Sequence, residues 1–166
     1  MPVLCLSFLI AVLDQFTKWL IRRQFLPGDS VTLVGGLFNL TYVRNTGAAW
    51  GMFGGLNFWL AALSVVMLVL IVVFRRSFLS DVAIHRVALG CMIAGIAGNL
   101  MDRVRLNYVV DFLDFHWGAH HFPSFNVADS AICIGVGLYI ISSFWLSAHP
   151  LNSGRRNGGA DADKPA

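Results

Sequence analysis

Residues Asn57 to Phe74 read NFWLAALSVVMLVLIVVF, and this stretch decides the fold class. Its 18 residues include no charge. As a helix rising about 1.5 Å per residue, the stretch is long enough to cross the hydrocarbon core of a bilayer. Arg75 and Arg76 follow at once and end it. The rest of the chain agrees with a membrane solvent. It is 57% hydrophobic and 13% charged, with mean hydropathy +0.68, whereas soluble domains carry about 25% charged residues. The net charge of +3 is small and spread out, so the chain lacks the basic footprint of a nucleic-acid binder.

Working outward, three more apolar runs appear. The first spans about Pro2 to Ile21. It lacks the basic start and small-residue cleavage site of a removable leader, so it reads as a retained span. The third, Val87 to about Asp102, is VALGCMIAGIAGNLMD. Its Gly90, Ala94, Gly95, Ala97 and Gly98 are residues that let membrane helices approach closely. The fourth runs from about Ala128 to Ala148. Residues 1–148 therefore read as a single four-span membrane domain, followed by a polar tail, 149–166, expected to be disordered and cytoplasmic. Within 22–58, VTLVGGLFNLTYV mixes β-branched and aromatic residues around Gly35-Gly36, which predicts two short strands and a turn. Residues 104–126 read as a loop.

Charged groups inside apolar runs are costly, about 2.5–3.5 kcal/mol each at a helix centre, and they mark cavities or sites. Asp14 and Lys18 are spaced i, i+4 on one helix face. They fit either an interfacial ion pair with Lys18 reaching outward or a polar wall beside a site. Asn99, Asp102 and Arg103 form a polar face at the end of the third run. Asn45-Thr46-Gly47 is a turn signal, and Asn45 either caps that turn or offers its amide to a ligand. His116 and His120 have a helical metal-ligand spacing, but no HExxH is present and the segment is broken by Gly and Pro, so no metal is expected. Cys5, Cys91 and Cys133 lie in apolar runs and read as small buried hydrophobes rather than a disulfide or zinc set.

Four spans put alternate loops on one side. The end of span one, the Asn45 turn, the Asn99–Arg103 cluster, Asp111 and Asp129 then share one membrane face. Charge does not say which face: six Lys or Arg residues lie near each side. Asp111 and Asp129 stand at the two ends of the segment YVVDFLDFHWGAHHFPSFNVADS, Tyr108 to Ser130. Two close carboxylates tend to share one proton. The charged one can deprotonate a water while the protonated one polarises a carbonyl, which is aspartic peptide hydrolysis without a metal or a cofactor. Asp14, Asp102 and Asp114 remain rival carboxylates.

The segments DQFTK (Asp14–Lys18), RNTGAAWG (Arg44–Gly51), AGIAGNLMDR (Ala94–Arg103), VVDF (Val109–Phe112) and FNVADS (Phe125–Ser130) together resemble the bacterial lipoprotein signal peptidases, or signal peptidase II. Five motifs in the family's order make the resemblance specific. It departs mildly at Trp50, where Phe is usual, and at Ala94, where Gly is common. The resemblance implies an all-α integral membrane fold of four transmembrane helices, with a small extracytoplasmic β-cradle and a periplasmic-side loop or helix. It implies that Asp111 and Asp129 are the catalytic pair. It also implies that Asp14, Lys18, Asn45, Gly47, Asn99, Asp102, Arg103 and Asn126 line the substrate groove or support that pair. The expected substrate is a prolipoprotein whose cysteine already carries a diacylglyceryl group, cut just before that cysteine. The expected setting is the bacterial inner membrane, with both termini cytoplasmic and the site on the outer face. The expected partners are membrane lipid and, as inhibitors, cyclic peptide antibiotics such as globomycin; the chain is expected to act as a monomer. A small proton-coupled transporter is the alternative class, and a non-catalytic lipid-binding protein is a third.

Overall fold

A computed structural model describes residues 2–48, 52–75 and 83–148. The polar tail 149–166, Ala49, Trp50 and Gly51 of the RNTGAAWG motif, and residues 76–82 lie outside the described residues. Along the chain come α1 (Pro2–Gln24), β1 (Ser30–Val34), β2 (Phe38–Asn45), α2 (Asn57–Val73), α3 (Ala83–Leu106), β3 (Val109–Trp117), β4 (His120–His121) and α4 (Val127–Ala148). Three of the helices, α1, α3 and α4, are long and apolar enough to cross a membrane. The stretch that looked cleanest in sequence, α2, is the shorter one at 17 residues. Large apolar side chains such as Phe8, Phe58, Trp59, Ile141 and Phe144 stand exposed on the outside of the helices, a surface that suits lipid and not water.

α3 is the central helix and packs against α1, α2 and α4. Small residues make this possible. Gly90 lies under Leu6 and the Val3 carbonyl, and Gly98 faces the Asp14 carboxylate and the Ala128 methyl. The α3–α4 seam is reciprocal: Gly95 meets the backbone of Ala128 and the side chain of Ile132, while Gly135 meets the Ala88 carbonyl and Met92. Lipid tails offer no hydrophobic drive for helix association, so such close contacts carry the packing.

The expected strands at 31–43 form, with Gly36 at φ +75° in their turn. The reading of 104–126 as a loop is corrected. α3 ends at Leu106, Asn107 takes φ +63° while its N–H closes on the Arg103 carbonyl, and the chain then runs as β3. Asn tolerates that left-handed conformation. β3 pairs antiparallel with β2, placing Val43 opposite Asp111 and Asn45 opposite Val109. The sheet order is β1-β2-β3-β4. Alternation along β3 sorts its side chains. Val110 and Phe112 enter an apolar cluster with Ile21 and Tyr42, while Val109 and Asp111 face a cavity.

Between β2 and α2 the described residues form bends and turns. The helical spacing of His116 and His120 dissolves, because both lie on the hairpin. His116 pairs across the strands with His121, ring centroids 4.8 Å apart. Among the described residues no group of three metal-binding side chains forms. The cysteines are free, but only Cys91 is buried; Cys5 and Cys133 are exposed on helix surfaces, where an apolar solvent satisfies them equally well.

The seam yields a direct test. A methyl added at Gly95 meets backbone and cannot be relieved by a side-chain swing, whereas one added at Gly137 meets nothing within 4 Å. Gly95→Ala is expected to destabilise the protein by about 1–3 kcal/mol and Gly137→Ala to leave it near wild type, read as thermal unfolding in detergent.

Candidate active site

Lys18 and Asp14 do not reach outward to the interface. They are 1% and 0% exposed. The Lys18 ammonium has three N–H groups and three acceptors: Asp14 Oδ2 at 2.9 Å, Asn99 Oδ1 at 2.9 Å and Asp102 Oδ2 at 3.1 Å. The carboxylates bound by Lys18 then reach further. Asp14 Oδ1 accepts the Ala128 N–H at the start of α4, at 2.9 Å. Asp102 Oδ2 accepts the Val110 N–H of β3, at 3.1 Å. Gln15, which sequence reasoning passed over, bridges Asp14, Asp102 and the Gly98 carbonyl through one amide group. Its position between Asp14 and Lys18 was its only signal, and a neutral amide carries no insertion penalty large enough to stand out.

Because Lys18 can only donate, the Asn99 amide must turn its oxygen to the lysine and its NH₂ outward. That NH₂ donates to Asp129 Oδ1 at 2.7 Å. Asn126 completes the link between the two aspartates. Its Nδ2 donates to Asp111 Oδ1 at 2.7 Å, and its backbone N–H donates to Asp129 Oδ2 at 3.2 Å. The Asp129 N–H returns a bond to Asn126 Oδ1 at 2.9 Å. This is the reciprocal pattern of a capping box at the start of α4, with Asp in place of the usual Glu. On the other side, Asn45 donates its Nδ2 to Asp111 Oδ2 at 2.9 Å, and its Oδ1 is held by the Gly47 N–H at 2.9 Å. The Asx turn and the contact to Asp111 thus use opposite ends of one side chain. Arg103 reaches from α3 to the Gly47 carbonyl at 3.2 Å, close to the charges of Asp129 and Asp111, and its buried Nε has no partner.

All ten residues singled out in the sequence meet in this one network. Asp114 does not. It has the opposite strand parity to Asp111, and Asn39 and His121 hold it at 2.9 Å and 2.8 Å. Burial acts to raise its pKa, but the bonds from His121 and Asn39 outweigh that and hold it below the usual carboxylate value. Asp111, 2% exposed, goes the other way. Burial first, and then the charge of Asp129, push it up to about 7.

Asp111 and Asp129 open onto a cavity of about 420 Å³ whose other walls include Ala48, Phe122, Pro123, Phe125, Ile132 and Cys133. Cys133 is exposed on the outer surface of α4, so the cavity reaches the lipid side of the bundle. A second cleft of about 250 Å³, lined by Arg44, Thr46, Gly47 and Ser124, also reaches Asp111. Asp111 therefore borders both an apolar chamber and a polar one.

The chain compares closely with known proteins. A family model described as Signal peptidase (SPase) II matches residues 6–145. The lipoprotein signal peptidase of Syntrophotalea carbinolica is 40% identical over 146 residues, 86% of this chain and 90% of the relative. That of Geobacter sulfurreducens is 45% identical over 133 residues, 78% of this chain and 83% of the relative. A solved bacterial membrane enzyme structure shares the fold with a TM-score of 0.83 at 31% identity, over 95% of this chain and 94% of that one. Four helices, three of them long and apolar enough to cross a membrane, a small antiparallel sheet, a cavity lined by two carboxylates and this degree of likeness lead to one assignment: the chain belongs to the signal peptidase II family.

Proposed function

We propose that this signal peptidase is an aspartic endopeptidase that removes the signal peptide from diacylglyceryl-modified prolipoproteins, with Asp111 and Asp129 as its reacting pair. Family membership replaces the transporter reading. The observation that carries the aspartic mechanism is the shared hold of Asn126 on both carboxylates at the mouth of one cavity. Asp111 is pushed up to about 7 beside Asp129, which suits a pair that shares one proton in its productive state. The ionised member draws a proton from a water. The water oxygen attacks the scissile carbonyl, which the protonated member polarises. Collapse breaks the C–N bond, and a proton passes to the leaving amine. Asn99, Asn126 and Asn45 donate to the carboxylates throughout, which keeps their lone pairs directed and the pair in register.

The two chambers suit a substrate with an apolar and a polar part. The apolar chamber, open toward lipid at Cys133, would take the acyl-bearing or signal-helix portion, and the polar cleft at Thr46 and Ser124 the peptide beyond the cysteine. α2, 17 residues or about 25 Å long, is the fourth span in this reading, near the lower limit of length for a crossing helix. The site end of the bundle would face outward from the bacterial inner membrane, with both termini in the cytoplasm, and globomycin would compete for the same cavity.

Two tests bear on this. In a gel-shift assay with purified protein and a diacylglyceryl-modified prolipoprotein, Asp111→Asn and Asp129→Asn should each lower cleavage by about 10²–10⁴-fold while eluting as folded protein. An Asp129→Asn enzyme of normal rate would remove the pair from the chemistry. The pH profile gives the second test. The productive state carries one proton, so kcat/KM should fall as pH rises through about 7. The Asn45 bond favours the ionised form of Asp111, so Asn45→Ala should move that alkaline limb to higher pH.

A further inference from the structure

Beside the site, at the end of the β2–β3 pair where Arg44 stands opposite Val110, lies a cluster that the peptidase chemistry does not use. The Tyr42 and Tyr108 hydroxyls touch at 3.0 Å. The Arg44 guanidinium lies over both rings, 5.7 Å and 5.1 Å from their centroids, and its Nε donates to the Tyr42 hydroxyl at 3.4 Å. Arg22, in the last turn of α1, bears on the same Tyr108 and carries a buried Nε without a partner. Among the described residues neither guanidinium forms an ion pair: the pairs found involve Lys18 and His121. Asp29, the acid of the same hairpin, gives Oδ2 to the Leu26 N–H. One guanidinium held over two aromatic faces, and a second that acts on the same tyrosine with a buried N–H unspent, offer an anion two cations free of ion pairs among the described residues.

The surroundings say where that phosphate comes from. The adjoining hairpin exposes Leu26, Val31, Leu33 and Val34, and Trp19 stands exposed one turn before Arg22. Exposed aromatic and aliphatic side chains at the end of a membrane bundle mark the headgroup level. We propose that Arg44 and Arg22, set around the Tyr42–Tyr108 hydroxyl pair, bind the phosphate of an anionic phospholipid beside the active-site face. The lipid's acyl chains would run along the apolar outer side of β1, and its charge would anchor β2, which carries Asn45 to Asp111. A zwitterionic headgroup carries its own cation to the phosphate and would fit less well.

The test is thermal unfolding of the full chain in maltoside micelles, followed by tryptophan fluorescence, as dioleoyl phosphatidylglycerol is added. Wild type should gain midpoint temperature with this lipid, and gain less with dioleoyl phosphatidylcholine or with inorganic phosphate. Arg44→Gln and Arg22→Gln should each lose at least half of the gain, and Arg75→Gln, at the far end of α2, should keep it. If Arg44→Gln does not fold, Arg44→Lys serves, since an ammonium keeps the charge but loses the planar fork and should keep only part of the gain. Equal gains with phosphatidylcholine, or undiminished gains in the Arg44 and Arg22 variants, would overturn the site. A gain matched by inorganic phosphate alone would overturn its assignment to lipid.

Discussion

One buried ammonium orders this protein. Lys18 is surrounded by two carboxylates and an amide oxygen, so each of its protons is matched. A cation withdrawn from solvent is tolerable only under that condition. The consequence is positional. Asp14 cannot neutralise Lys18 without presenting its other oxygen to the start of α4, and Asp102 cannot do so without holding β3. Asn99 cannot accept from Lys18 without turning its amide hydrogens to Asp129. Three elements and one of the cavity's two carboxylates are thereby located from a single point on α1. Apolar packing in a membrane gives little directional information, since lipid and leucine are equally good solvents for a helix face. Polar matching supplies the direction instead.

The apolar runs, the small residues of α3 and the polar positions within them were legible because each violates or fulfils a simple rule of lipid solvation. The strand β3 was not. VVDFLDFHW contains two aspartates of opposite parity, so its alternation is apolar and polar on both faces, and its pairing partner lies more than sixty residues earlier. Nothing local marks which aspartate turns inward. Once β2 is placed beside it, Asn39 claims Asp114 and Asn45 claims Asp111, and the rivalry between them resolves through register. The histidines show the same limit from the other side: His116 and His120 looked like a ligand pair only under a helical spacing that the hairpin does not have. Gln15 and the turn conformation of Asn107 were invisible for a further reason, because their roles arise from backbone groups that sequence does not display.

Asp111 gains its character from standing on a strand and not on a helix. Its neighbours in sequence, Val110 and Phe112, are fixed in the apolar cluster below the sheet, so the carboxylate cannot withdraw to solvent by rotating the backbone. Burial and the second carboxylate raise it to about 7, against two amide donors that favour its ionised form. Asp129 stands on the first turn of a helix, where capping fixes it equally well. Two different kinds of local structure thus deliver two carboxylates to one cavity.

The reciprocal bonds between Asn126 and Asp129 close the first turn of α4, and the Asp14 bond to Ala128 docks that turn on α1. Among the described elements α1 comes first in the chain and α4 last. During synthesis, a nascent chain holding only its first three helices has Asp111 but neither Asp129 nor the Asn126 that links the two. On the proposed mechanism, hydrolytic competence arrives only once α4 has inserted, and a molecule holding its first three helices alone has no means of cutting a precursor.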